Sequence, residues 1–151
     1  MMAGMSTYCD TMASAALRHV RDAKMLAAGA APSPDQAWHL IGFGPECSLK
    51  AGLSAEWQGK AIGHAGGLDA RLFGWLLDLD AAARRRSADY AAEDAVPGWT
   101  PNHRYMQTGW LATTSFDLPA ALQTAEALVE VRLAALWTAG DVASHALRAA
   151  P

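Results

Sequence analysis

Asp117-Leu118-Pro119-Ala120-Ala121-Leu122-Gln123-Thr124-Ala125-Glu126-Ala127-Leu128-Val129-Glu130-Val131-Arg132-Leu133-Ala134-Ala135-Leu136 is the most regular stretch of the chain, and it decides the fold class. Asp117 is a side chain suited to capping a helix start, and Pro119 falls in the first turn, where a missing N–H costs nothing. Leu118, Leu122, Ala125, Val129, Leu133 and Leu136 then recur every three or four residues, the period of one helix face. The whole chain shares this bias. Ala dominates, whereas Val and Ile are scarce, which favours helices over strands.

Working outward, three further helices are expected. Thr7 with Asp10 three residues on forms a capping pair for a helix from Thr7 to Ala28, stopped by Gly29 and Pro32. Ser33-Pro34-Asp35-Gln36 offers a capping Ser, a Pro at the first helical position and a Gln at the capping-box position. That second helix continues through Trp38, Leu40, Ile41, Cys47, Leu49 and Leu53, with a kink expected near Gly44, where Gly42-Phe43-Gly44-Pro45 interrupts it. Gly42 and Gly44 also leave room for a neighbouring helix. Gly59 to Gly67 reads as a loop, and Leu68, Leu72, Trp75, Leu76 and Leu79 as the stripe of a third helix ending near Tyr90. Val96 to Ser115 is a long irregular segment, pinned by burial of Trp99, Tyr105 and Trp110. The expectation is one all-α domain over residues 1–151, an antiparallel bundle of four to five helices.

The totals bound the function. Hydrophobic residues make up 52% of the 151, enough for a core. The formal charge is −3, with 12 Lys and Arg against 15 Asp and Glu, so the composition does not call for a nucleic-acid-gripping basic face. The run Arg84-Arg85-Arg86 suits a solvated helix end. Cys9 and Cys47 are too few for a disulfide framework or a metal cluster, and Cys47 reads as a small buried hydrophobe. No stretch approaches the roughly 18 apolar residues of a membrane span, and no secretory signal is visible. A cytoplasmic protein is expected, without metal or cofactor.

Candidate chemistry falls in three places. His39, Phe43, Glu46 and Lys50 step by four, three and four, so they share a helix face. They form either a polar binding site or a Glu46–Lys50 surface pair with His39 partly exposed. His64, in a glycine-rich stretch before a helix, fits a helix-start anion site or a packed loop residue. Asn102-His103-Arg104-Tyr105 groups a cation, an imidazole and a phenol that suit a phosphate or nucleobase; alternatively Arg104 bridges to the bundle and Tyr105 is buried.

The order of these residues resembles the HEPN domain family. It is carried by Asp22-Ala23-Lys24-Met25-Leu26, by Asp35-Gln36-Ala37-Trp38-His39-Leu40-Ile41-Gly42-Phe43 followed by Glu46-Cys47-Ser48-Leu49-Lys50-Ala51, by His64 ahead of Leu68 and Leu72, and by Trp99-Thr100-Pro101-Asn102-His103-Arg104-Tyr105. The resemblance implies a helical bundle, often dimeric, tied in bacteria to toxin–antitoxin and defence systems. Some such proteins are metal-independent ribonucleases; others are non-catalytic partners of nucleotidyltransferases or bind nucleotides or RNA. The ribonucleases carry Arg, four to six residues, then His. No arginine here has that His; from Arg104 the positions are Gly109, Trp110 and Leu111. Gly44-Pro45 before Glu46 is a second departure. The reading that follows is a non-catalytic HEPN-like binding or regulatory domain, expected as a homodimer and partnered by a nucleotidyltransferase-type protein, a nucleotide or RNA. Its site residues are His39, Glu46, Lys50, His64, Arg104 and Tyr105, with Arg104 and Lys50 holding an anion and Glu46 orienting His64. Two alternatives stand beside it: a ribonuclease with a rearranged His103/Arg104 pair, and a structural oligomerisation module.

Overall fold

The structure is a computed structural model, and it describes residues 7–53 and 96–148. Among the described residues the regular structure is entirely helical: α1 (Tyr8–Ala28), α2 (Pro34–Ile41), α3 (Phe43–Lys50) and α4 (Leu118–Thr138), with short 3-10 turns at Pro101–Tyr105, Trp110–Thr113 and Ser144–Leu147. The expected third helix near 68–90, His64 and the Arg84–Arg86 run lie outside the described residues.

The ends of α1 and α4 follow local chemistry. The Thr7 hydroxyl accepts the Asp10 N–H (3.1 Å) while the Asp10 carboxylate accepts the Thr7 N–H (3.2 Å), closing a capping box. Asp117 accepts from the Ala120 N–H at 2.9 Å. The two long helices run antiparallel: Asp10 at the start of α1 accepts the Ala143 N–H beyond the end of α4 (2.8 Å), and Lys24 near the end of α1 meets Glu126 in the first half of α4 (2.6 Å). α2 and α3 pack against both, and Trp38, Ile41, Val129 and Leu136 are buried between the layers.

The second helix differs from expectation in two ways. It breaks at Gly42, two residues before the expected kink, so Pro45 is the third residue of α3. In a first turn Pro45 has no helical acceptor to lose, and the cost of an interior proline does not arise. The Ser33 side chain makes no cap hydrogen bond. Of the two glycines, Gly44 does admit helices: a Cβ there would sit 2.8 Å from Val20 of α1 and 3.6 Å from Val129 of α4. Gly42 instead lies under the Trp99 ring.

Asp10 couples the chain ends to pH. Burial alone would raise its carboxyl pKa, but hydrogen bonds from the Ala143 and Thr7 N–H groups and the Thr7 hydroxyl outweigh it, and His145 adds to them, so the value falls below normal. A lowered folded-state pKa stabilises above the unfolded value of about 3.9 and is lost as pH falls through the folded value. Asp10→Asn is therefore expected to cost about 1–2 kcal/mol at neutral pH. The gap to the parent should close on acidification below about pH 4, as read by denaturant melts at several pH values. A gap that stays constant with pH would remove the ionised carboxylate from this role.

Candidate functional site

The face predicted on the second helix is split between α2 and α3, and its polar members are not on the surface. Glu46 is 1% exposed and Lys50 9%, and their charged groups meet at 2.6 Å. The surface-pair reading is thereby corrected to a buried ion pair. Beside it the Ser48 hydroxyl donates to the Pro45 carbonyl (2.7 Å), and Arg132 of α4, 1% exposed, reaches the same carbonyl (3.1 Å) and the Ser48 oxygen (3.2 Å). A carbonyl oxygen carries two lone pairs, so that of Pro45 can accept from a side chain without leaving the helical ladder. A charged seam thus ties α3 to α4. Arg132 and Ser48 escaped sequence reasoning. The available signal was an arginine directly before Leu133 on the stripe that buries Val129 and Leu136.

Phe43 organises the rest of this face. His39 meets its ring edge-on at 5.0 Å, Trp99 likewise at 4.9 Å, and His19 of α1 lies tilted at 5.4 Å. Trp99 also donates its indole N–H to the His39 carbonyl at 3.0 Å. Burial, seconded by Arg18, holds the His19 pKa below normal, against the pull of Asp22 and Glu46. His19 was not singled out by spacing. Cys47 keeps its proton, since burial and then Glu46 push its thiol up to about 11, far from the depressed values of reactive cysteines.

The irregular segment is a braced loop. Thr100 and His103 make a capping box in which the imidazole replaces a carboxylate: the Asn102 N–H donates to the Thr100 hydroxyl (3.0 Å), and the Thr100 N–H to His103 Nδ1 (3.4 Å). Trp38 of α2 donates its indole N–H to the same Nδ1 at 3.0 Å, and the His103 ring packs on Trp110 at 4.6 Å. Further on, the Asp35 carboxylate accepts the N–H groups of Gly109 (2.6 Å) and Leu111 (3.0 Å). Gly109 supplies the φ of +87° that the turn requires. Between these two anchors Arg104 and Tyr105 face outward. Tyr105 is 73% exposed, and the Arg104 guanidinium lies 4.7 Å over its ring. The expected burial of Tyr105 is thus corrected, while Trp99 is buried as expected.

The structure therefore joins Glu46 to Lys50, sets His39 against Phe43, and holds Arg104 with Tyr105 on a separate, exposed turn. Among the described residues, no three His, Cys, Asp or Glu side chains are gathered as for a metal ion, and no helix is long and apolar enough to cross a membrane. No protein-family model matches the chain, and neither a curated protein nor a solved structure gives a significant match.

Proposed function

We propose that the chain is a HEPN-like domain of four or five helices that acts without catalysis, as a cytoplasmic binding or regulatory partner. In this reading it serves a nucleotidyltransferase-type protein, a nucleotide or RNA within a bacterial toxin–antitoxin or defence system.

The observation that carries the reading is the opposite orientation of two neighbours: His103 faces in and Arg104 faces out. Metal-free RNA cleavage needs an acid–base group beside a cation that stabilises the developing phosphorane charge. A neutral imidazole has one lone pair, and at His103 it sits on Nδ1, where it accepts from Trp38 and Thr100. It is not open to a substrate proton. Burial also lowers the His103 pKa, so little imidazolium is present at neutral pH to act as an acid. His103 is instead a bracket for its loop. What the loop presents is a guanidinium over an exposed phenol, a pair suited to recognition by stacking and charge.

The test compares the parent with two variants. Native mass spectrometry of protein gently purified from its own host should show a bound nucleotide, RNA fragment or second protein. Arg104→Ala/Tyr105→Ala should lose that partner at an unchanged melting temperature. His103→Ala should leave the Trp38 N–H without its acceptor and cost about 1–3 kcal/mol. RNA cleavage that disappears in His103→Ala at an unchanged melting temperature would instead establish the ribonuclease reading. A parent that carries nothing would favour the structural module.

A further inference from the structure

Independently of the Arg104–Tyr105 turn, α1 and α4 leave between them an open groove of about 440 Å³. Leu17 and Val20 of α1, Val129 of α4 and Leu147 of the last 3-10 turn give it an apolar lining. Met25, also lining it, stays 65% exposed. The charges around the groove are matched within the chain, with one exception. Arg21 holds Asp22 through its Nε and Nη2 atoms at 3.2 and 3.1 Å, and Lys24 meets Glu126 of the facing helix at 2.6 Å. Glu130, exposed on the α4 side, has no hydrogen-bond or ion-pair partner for its carboxylate among the described residues.

We propose that this groove is a binding site for a small hydrophobic amine, with the apolar body lying between the two helices and the ammonium on Glu130. Size selects a small molecule. The volume falls within the roughly 300–1,000 Å³ of small-molecule sites. At about 1.5 Å of rise per residue, Leu17 to Met25 spans about 12 Å of α1 and Glu126 to Glu130 about 6 Å of α4. That face is too short for the roughly 20–30 residues a side of a stable protein contact. Charge selects the head group. Arg21 and Lys24 already hold carboxylates, so an anionic ligand would have to displace one of them, whereas Glu130 accepts an ammonium without breaking any pair. An apolar body in the groove also shields one side of that contact from water, which strengthens a charge-assisted hydrogen bond. The flexible Met25 thioether can then adapt to the shape of the body beneath it.

Phenylbutylammonium carries both features, and it is tested on the full chain beside phenylbutanol and phenylbutyrate, which keep the body and make the head neutral or anionic. Binding is read by NMR of methyl-labelled methionine, with the Met25 signal assigned through Met25→Leu. The cation is expected to shift that signal saturably at roughly millimolar concentration, in keeping with a ligand of this size. The alcohol should bind roughly fivefold more weakly, the upper range for one partly exposed ion pair, and the anion more weakly still. Glu130→Gln changes an exposed side chain, so the fold should be kept. It should bring the cation down to the alcohol's affinity and leave the alcohol's own affinity where it was. That crossed pattern separates an ion pair from a general change in the groove. Leu17→Trp fills the groove and should abolish binding of all three; where circular dichroism shows its helices lost, the Glu130→Gln comparison decides by itself. A Met25 signal that does not saturate with the cation overturns the proposal. So does an anion that binds as tightly as the cation, or a Glu130→Gln variant that leaves the cation's affinity unchanged or weakens cation and alcohol alike.

Discussion

Replacing Glu46 by alanine is expected to cost about 3–5 kcal/mol of folding stability, the range for removing one member of a buried ion pair. For a chain of this size that corresponds to a fall in melting temperature of roughly 10 °C or more. The magnitude follows from burial. An exposed i,i+4 pair contributes about 0.3–0.5 kcal/mol, but Glu46 is 1% exposed and its carboxylate lies 2.6 Å from the Lys50 ammonium. Removing it takes that carboxylate away from an ammonium that water cannot readily reach. The same change disturbs the seam in which Arg132 ties the Pro45 carbonyl and Ser48 to α4. The double variant Glu46→Ala/Lys50→Met separates the two contributions. It removes both charges together, and should be more stable than Glu46→Ala alone, because the carboxylate-deprived charge is what costs most. Equilibrium denaturation of the parent and both variants decides the matter. A shift below about 1 kcal/mol for Glu46→Ala would place the pair in the energetic class of surface contacts.

How much was legible in the sequence depended on the reach of each interaction. The starts of α1 and α4 were legible, since Thr7 with Asp10 and Asp117 with Ala120 act within a single turn. The function of Asp35 was not. Its position reads as the first turn of α2, but its carboxylate binds backbone groups 74 and 76 residues away. His103 shows the same limit. Spacing put an imidazole beside an arginine, and only the fold sets its Nδ1 against the Trp38 indole. For the helical face of His39, Phe43, Glu46 and Lys50, periodicity grouped Glu46 with Lys50 correctly. It could not tell a solvated pair from a buried one, because that depends on α4 passing overhead with Arg132 aimed at α3. The site residues within reach of local rules were thus found as residue types, and their roles came from contacts that cross the chain.

Gly42→Ala is the second large effect expected, and local rules give it the wrong sign. Gly42 has φ −69° and ψ −25°, a helical conformation that alanine adopts easily. On helix propensity alone the change would stabilise by up to about 1 kcal/mol. Its surroundings decide otherwise. A Cβ at position 42 would lie 2.1 Å from Cδ2 and Cε2 of Trp99 and 2.4 Å from its Nε1. The indole has little freedom to retreat: it is 4% exposed, packs edge-on against Phe43 at 4.9 Å, and donates to the His39 carbonyl at 3.0 Å. Moving it breaks that hydrogen bond and opens the aromatic cluster that joins the loop to α2 and α3. We therefore expect a loss of about 3 kcal/mol, at the upper end for overpacking a filled core. Gly44→Ala is the graded comparison. There the added Cβ meets the tip of Val20 at 2.8 Å, and the Ala16 carbonyl only at 3.5 Å. A methyl group on α1 yields more readily than a clamped indole, so the loss should be smaller, about 1–2 kcal/mol. Denaturation midpoints for the two variants should fall in that order. A midpoint for Gly42→Ala at or above the parent's would mean that Trp99 does not pack over Gly42, and the bracing of the Arg104–Tyr105 turn would then need another source.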